Sequence, residues 1–118
     1  MASDSEFVIE RLSKAHDPSR FDCGIDSLNV WLKRFAWPNS PNDSTRVYVA
    51  HRRDNIATGY HALVAGEISR DEAPERVGRG LAAQPVRLVV LGRLAVDLRD
   101  QWGGLGRALA QDALLRAE

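Results

Sequence analysis

Apolar residues alternate with polar ones in the first half of the chain and run almost continuously later on. Residues 7–12, 45–51 and 56–66 are short stretches rich in β-branched and aromatic residues. Alternation with period two is typical of half-buried strands, so each stretch predicts a strand, and the last two predict an antiparallel pair. Residues 86–96 predict an interior strand covered on both faces. Gly92 within it predicts a bulge or a close backbone approach.

Two other segments have the period of an amphipathic helix. The first begins at Asp26 or Ser27 and predicts a core-facing stripe of Leu28, Trp31, Leu32, Phe35 and Ala36. Pro38 predicts its end at Trp37, because the residue before a proline avoids helical geometry. The second helix starts at Leu105 and carries one apolar stripe. The element order β, α, β, β, β, α predicts an α/β sheet with helices packed on it.

Composition limits the class of protein more than its chemistry. The 118 residues predict a single domain over 1–118, and a net charge of zero gives no overall field that attracts nucleic acid. Fourteen of the sixteen cations are arginines, which suit phosphate and RNA contacts, although a GC-rich genome explains them equally well. A single cysteine and the absence of a signal peptide or a long apolar run lead us to expect a cytoplasmic protein without membrane contact.

A glycine-rich turn stands between the last strand and the last helix. Its three glycines permit positive φ and let a phosphate approach the N–H groups at the helix start. The P-loop pattern fails because no lysine follows, and the Rossmann pattern fails at Leu109. The pattern that remains is Gln/Arg-x-x-Gly-x-Gly/Ala, the signature loop of acetyl-CoA-dependent acyltransferases, met by Gln101, Gly104 and Gly106.

With these motifs the chain resembles the GNAT superfamily of N-acetyltransferases. Two blocks, residues 21–32 and residues 91–106, resemble its toxin branch, whose members pair with ribbon-helix-helix antitoxins. The resemblance implies an α+β GNAT fold, a mixed and mostly antiparallel sheet flanked by helices. It also implies that the C-terminal portion, with its closing strands, is absent from this chain.

The resemblance assigns acetyl-CoA as the cofactor and the following residues as its site. The pantetheine arm would pair with the strand backbone at Leu94, Ala95 and Val96, where one N–H polarises the thioester carbonyl. The diphosphate would be held by Gln101, Trp102, Gly103, Gly104, Leu105, Gly106 and Arg107. For Arg107 a solvated helix position is an equal alternative, and Trp102 departs from the small or polar residues that are common there.

No catalytic residue is assigned. A free α-amine has a pKa of about 8, so it can attack the thioester without a dedicated base. The family's acid is a tyrosine beyond the signature helix, which would lie after Glu118. Tyr48 and Tyr60 do not match it by position. We therefore expect weak or no activity from this polypeptide.

Other residues are open to two interpretations. Arg93, a charge within an apolar strand, would contact substrate or antitoxin, or form an internal ion pair. Lys33 and Arg34 would contact tRNA phosphates, or be solvated. No metal site is expected, because the spacing of the three histidines and one cysteine fits none, and Cys23 is expected to be structural.

The resemblance implies an N-acetyltransferase toxin that acetylates the amino group of aminoacyl-tRNA and so blocks translation. Its partners would be the antitoxin, through which alone it meets DNA, and a second copy in a homodimer. Two alternatives stay open. One is an acetyltransferase of a small amine or a protein N-terminus. The other is a truncated, non-catalytic module that binds acetyl-CoA or a partner.

Overall fold

A computed structural model describes residues 6–39, 44–68 and 86–117. The helices and strands follow the order that the hydrophobic pattern predicts. The elements are β1 (Val8–Arg11), α1 (Asp26–Val30), a π-helical turn (Trp31–Phe35), α2 (Ala36–Asn39), β2 (Thr45–His51), β3 (Gly59–Ile68), β4 (Val86–Val96), a 3-10 turn (Leu98–Asp100) and α3 (Leu105–Ala117).

The four strands form one antiparallel sheet in the order β1-β2-β3-β4. The register between β3 and β4 shifts by one residue, because Ala62 pairs with Arg93 and Leu63 pairs with Leu91. Gly92 is the unpaired residue, which confirms the predicted bulge. A Cβ at this position would lie 3.2 Å from the Val64 side chain, so the strands approach closely there.

Helices cover both faces of the sheet. On one face, α1 and the π-helical turn pack on a core cluster that includes Phe21, Leu32 and Tyr60, all at most 2% exposed. On the other face, α3 buries Leu105 and Leu109 against residues of β2 and β4. This arrangement agrees with the α+β class, a mostly antiparallel sheet flanked by helices.

The first helix departs from its prediction in two ways. It continues to Asn39 rather than ending at Trp37, because Pro38 lies in the last turn, where its effect on the preceding residue is a preference only. Phe35 is half exposed instead of lying in the core. The π-helical turn inserts extra backbone into the helix, which rotates Phe35 away from the apolar stripe.

The prediction that β4 is an interior strand is wrong for the residues described. β4 is the last strand of the sheet, and Leu88, Val89, Val90 and Leu91 are 39–53% exposed. The apolar run predicted that other elements bury both faces of β4. Within the described part of the chain, only the C-terminal half of the strand is buried in this way, by α3 on one face and by the segment from Cys23 to Leu28 on the other. Among the described helices, none has the length and apolar character that crossing a membrane requires.

Candidate functional site

The site begins where β4 ends. The carboxylate of Asp97 accepts hydrogen bonds from the Arg99 N–H at 2.9 Å and from the Asp22 N–H at 3.1 Å. Burial alone would raise the pKa of Asp97, but the bonds and charge of Arg99 and the Asp22 N–H lower it overall. Asp97 therefore stays ionised and joins the two sequence blocks that carry the toxin resemblance.

The side chain of Gln101 completes this junction. Its Nε2 donates to the carbonyl oxygen of Cys23 at 3.1 Å and to that of Val96 at 2.9 Å. The glutamine of the signature pattern thus fixes the loop to the strand end and to the N-terminal block. Its side chain is occupied by these two contacts, which leaves the backbone of the loop to meet a ligand.

The glycine turn follows directly and leads into α3. Trp102 and Gly104 have φ values of 69° and 95°, which is the left-handed region. Glycine adopts this conformation freely, whereas tryptophan is strained in it. The Trp102 side chain is fully exposed, and a Cβ at Gly104 would meet nothing within 4 Å. The turn therefore presents open backbone at the positive end of a 13-residue helix.

The outer edge of β4 supplies the next group of contacts. The Asp97 N–H donates to Thr58 on the β3 side at 2.8 Å. Because backbone groups alternate in direction along an antiparallel strand, those of Ala95 also point toward β3. Those of Leu94 and Val96 point to the outer edge, where the Val96 carbonyl is already bonded to Gln101. The backbone groups of Ala95 are therefore turned toward β3, and it is the side chain of Ala95 that lines the site.

A cavity of about 300 Å³ lies between this edge, the glycine turn and α1. Its lining residues are Cys23, Ile25, Leu28, Leu94, Ala95, Val96, Gln101, Trp102 and Gly106. Six of the ten residues predicted to bind the cofactor are among them. Of the other four, Leu105 buries its side chain beneath the sheet, whereas Gly103, Gly104 and Arg107 are exposed around the turn and the helix start.

Next to the cavity, Arg93 is held by aromatic rings. Its guanidinium carbon lies 4.4 Å from the ring centroid of Trp31, which is stacked on Tyr60 at 5.8 Å. The structure thus gives Arg93 a cation–π contact, which neither interpretation of this residue included. Arg93 lies on the same face of β4 as Ala95, which pairs with Tyr60, and this register could not be read from the sequence. Trp31 is half-buried in this stack.

The two cations on the first helix lie outside the cavity. Lys33 and Arg34 are both exposed on the π-helical turn. Lys33 lines a separate cleft of about 350 Å³, whose lining also includes Arg20, Asp22 and Asp26. The structure therefore does not bring Lys33 and Arg34 together with the signature loop.

Neither tyrosine of the chain faces the cavity. The Tyr60 hydroxyl donates to the Leu28 carbonyl oxygen at 2.8 Å, and burial raises the pKa of this phenol. Tyr48 is buried on the opposite face of the sheet, where its ring stacks on His61. Cys23 is also buried, which agrees with the structural role expected for it.

Three side chains converge elsewhere, at the end of β2. Glu10 Oε2 lies 2.9 Å from His16 Nε2 and 2.5 Å from His51 Nε2. The Ser13 N–H points at His16 Nδ1, and the Arg53 N–H points at His51 Nδ1. Each Nδ1 accepts a hydrogen bond from a backbone N–H and so carries no proton. In each neutral ring the proton is therefore on Nε2, which donates to Glu10. These bonds lower the pKa of Glu10, and in this tautomer neither imidazole ring has a lone pair free for a metal.

No protein-family model matches the chain. A tRNA-acetylating toxin of Mycobacterium tuberculosis (strain ATCC 25618 / H37Rv) is 38% identical over 106 residues, 90% of this chain and 63% of that protein. The chain therefore spans somewhat less than two thirds of the length of this relative.

Two solved structures are similar over most of the chain. AtaT complexed with acetyl-methionyl-tRNAfMet has a TM-score of 0.74 and 28% identity, covering 91% of this chain and 66% of that one. A mutant AtaT toxin bound to the C-terminus of the antitoxin AtaR and acetyl-CoA has a TM-score of 0.74 and 29% identity, covering 95% and 66%.

The antiparallel four-stranded sheet, its flanking helices and the glycine turn before α3 agree with a GNAT domain. The chain has the fold of the GNAT superfamily, and over 90% or more of its own length it is similar to a tRNA-acetylating toxin and to the toxin AtaT.

Proposed function

We propose that this chain forms the acetyl-CoA-binding part of an N-acetyltransferase. The observation that carries the proposal is the cavity between the open edge of β4 and the glycine turn. One wall offers strand backbone to an extended arm, and the other offers helix N-terminal N–H groups to a diphosphate. Its lining is mostly apolar, which suits the methylene and dimethyl groups of a pantetheine arm.

The glycines fit a diphosphate because of what surrounds them. A Cβ at Gly104 would have nothing within 4 Å, and one at Gly106 would lie 3.8 Å from Val96 Cγ2, an ordinary contact. Internal packing therefore does not require glycine at either position, although the positive φ favours it at Gly104. An external group that approaches the backbone closely explains the missing side chains.

The chemistry divides simply between the ligand and the chain. Acetyl-CoA, when bound, supplies an acetyl group activated as a thioester. The outward N–H of Leu94 or Val96 would donate to a carbonyl oxygen beside the strand and stabilise developing negative charge on it. An α-amine with a pKa near 8 is partly neutral at pH 7, so the chain needs no base to activate it.

We propose aminoacyl-tRNA as the acceptor, and inhibition of translation as the result. Arg93 supports this, since its guanidinium is fixed at the α1 side of the cavity by Trp31. Lys33 and Arg34 supply further exposed cations. The similarity to a tRNA-acetylating toxin, and to AtaT complexed with acetyl-methionyl-tRNAfMet, supports the same acceptor.

The proposed partners follow from the same relatives and from one edge of the sheet. A ribbon-helix-helix antitoxin would neutralise the enzyme and provide its only contact with DNA; a similar toxin is bound to the C-terminus of AtaR. The exposed apolar residues of β4, Leu88 to Leu91, favour pairing with a second copy in a homodimer. Charged tRNA as the substrate implies a cytoplasmic location.

Calorimetry with acetyl-CoA tests the binding step. Gly106→Glu places a carboxylate where the diphosphate would lie, so affinity should fall more than ten-fold, and Gly106→Ala, whose methyl group carries no charge, should weaken binding by less. Gln111→Glu adds the same charge on an exposed part of α3 and serves as the control. Acetyl-pantetheine, which lacks the diphosphate, should bind more weakly than acetyl-CoA. An absence of heat with millimolar acetyl-CoA would refute the proposal.

Transfer of labelled acetyl groups tests the acceptor. Transfer to bulk aminoacyl-tRNA would support the toxin function, and transfer to small amines alone would support the broader class of acetyltransferase. Cofactor binding without any transfer would indicate a binding module. The buried tyrosines of this chain make slow transfer the expected result.

A further inference from the structure

The outer side of the first helix carries an exposed tryptophan among cations. Trp37 is 40% exposed, and Lys14 Nζ lies 5.9 Å from its ring centroid. Lys33 and Arg34 lie on the π-helical turn that ends at Phe35, two residues before Trp37. Both are exposed. This cationic tryptophan surface is distinct from the cavity, and the acetyl-CoA site does not use it.

We propose that this surface, formed by Lys14, Lys33, Arg34 and Trp37, binds the single-stranded RNA end of the acceptor substrate. A base would stack on Trp37, and the cations would contact the adjoining phosphates. The proposal rests on the proposed function, because it assumes that the amine to be acetylated is carried by RNA.

The position of the surface fits such a substrate. Leu28 lines the cavity, and Trp37 lies nine residues further along the same helical segment, about 13 Å away along its axis. An amino acid in the cavity cannot span that distance, but the nucleotides next to it can. A carrier much larger than a 300 Å³ cavity must in any case lie across the neighbouring surface.

The side-chain chemistry favours RNA over a protein partner. Exposed aromatic rings flanked by cations are the usual elements of sites for single strands, where bases stack and phosphates pair. Both lysines of this arginine-rich chain, Lys14 and Lys33, belong to the surface. Lysine has a flexible stem, so the Lys14 ammonium can leave the ring to a base and pair with a phosphate. Because Lys33 also lines a cleft with Asp22 and Asp26, we expect Lys14 and Arg34 to contribute most to phosphate binding.

Binding of deacylated bulk tRNA, followed by fluorescence anisotropy without acetyl-CoA, tests the proposal. Trp37→Ala should weaken binding by about five- to a hundred-fold, and Trp37→Phe should retain most of the affinity because it keeps a ring. Lys14→Ala and Arg34→Ala should each reduce the slope of log K against log salt by about 0.7. Arg46→Ala removes an exposed cation from β2 and should leave binding unchanged. Circular dichroism melts of each variant separate lost binding from lost folding.

Any of three results would overturn the proposal. A folded Trp37→Ala variant could bind tRNA as tightly as the original chain, or polyglutamate could compete as well as unlabelled tRNA at the same charge. Duplex DNA could also bind as well as tRNA, with no dependence on Trp37. The assay contains no cofactor, so its failure differs from that of the proposed function. Loss of acetyl-CoA binding with intact, Trp37-dependent RNA binding would reject the enzyme and keep the surface. The reverse pattern would reject only the surface.

Discussion

Replacing Gly59 with alanine should test how closely α3 approaches the sheet. A Cβ at this position would lie 2.9 Å from Leu109 Cδ1 and 3.3 Å from both the Ala95 carbonyl oxygen and Leu105 Cδ2. Real Cβ atoms essentially never come within 3.0 Å of another heavy atom. Leu105 and Leu109 are at most 2% exposed, so neither side chain can turn away into solvent. The helix must therefore move outward or a rotamer must strain.

The cost of Gly59→Ala follows from this overpacking. Inserting a methyl group into a packed core costs about 1–3 kcal/mol. For a domain of this size, each kcal/mol lowers the melting temperature by roughly 4 °C, so a decrease of about 4–12 °C is expected. Because α3 carries the glycine turn at its N-terminus, acetyl-CoA affinity should fall as well. Thermal melting by circular dichroism and calorimetry measure the two effects.

Gly66 offers a matched control on the same strand. A Cβ there meets nothing within 4 Å, so Gly66→Ala should be neutral or slightly stabilising. Leu109→Val removes the atom that clashes, so a double-mutant cycle with Gly59→Ala should show a favourable coupling of about 0.5 kcal/mol or more. Equal melting temperatures for Gly59→Ala and Gly66→Ala would refute the reasoning, as would a coupling of zero.

Three further predictions concern the site and its pH response. Gln101→Glu replaces a donor with an acceptor that faces two carbonyl oxygens, so it should lower the free energy of unfolding, measured in urea, by about 2–4 kcal/mol. A decrease of less than about 0.5 kcal/mol would contradict the role of Gln101 in fixing the loop to the strand end. Trp102→Gly relieves a positive φ and should not lower the melting temperature, whereas a marked decrease would mean that the indole stabilises the loop. Burial lowers the pKa of His61 in the folded chain despite its bond to Asp112. As the pH falls, the imidazole is therefore protonated in the unfolded chain before it is protonated in the folded one. This stabilisation is complete above pH ~6.5 and is lost as the pH falls; His61→Phe should therefore flatten the decrease in stability between pH 8 and 5.5, and an unchanged slope would contradict the shift.

Most of the fold could be predicted because its patterns are local. The bounds of β2, β4 and α3 agree with the alternation or periodicity of those segments, and the bulge lies at Gly92. Phe35 could not be placed, because the π-helical turn changes the period on which the prediction depends. The apolar run of β4 indicated burial but could not show which neighbour supplies the cover.

The site was predicted in composition but not in its contacts. The motif predicted that the backbone of the glycine turn binds the cofactor. In the structure, Gln101 and Gly106 line one cavity with Leu94 and Val96. The hydrogen bond of the Gln101 side chain was not predicted, because its partner, the Cys23 carbonyl oxygen, lies 78 residues away in sequence. The stack of Arg93 on Trp31 was missed for the same reason, since strand register decides which distant residues meet. Whether the ten predicted residues bind acetyl-CoA stays a prediction.

The bonds from Asp97 to Asp22 and from Gln101 to Cys23 span 75 and 78 residues. A nascent chain on the ribosome cannot form this junction until Asp97 and Gln101 have been synthesised. Contacts of such long range are also slow to close in a refolding chain. Ligand recognition should accordingly appear late and all at once, after synthesis has passed the glycine turn, and nascent fragments should be inert toward coenzyme A.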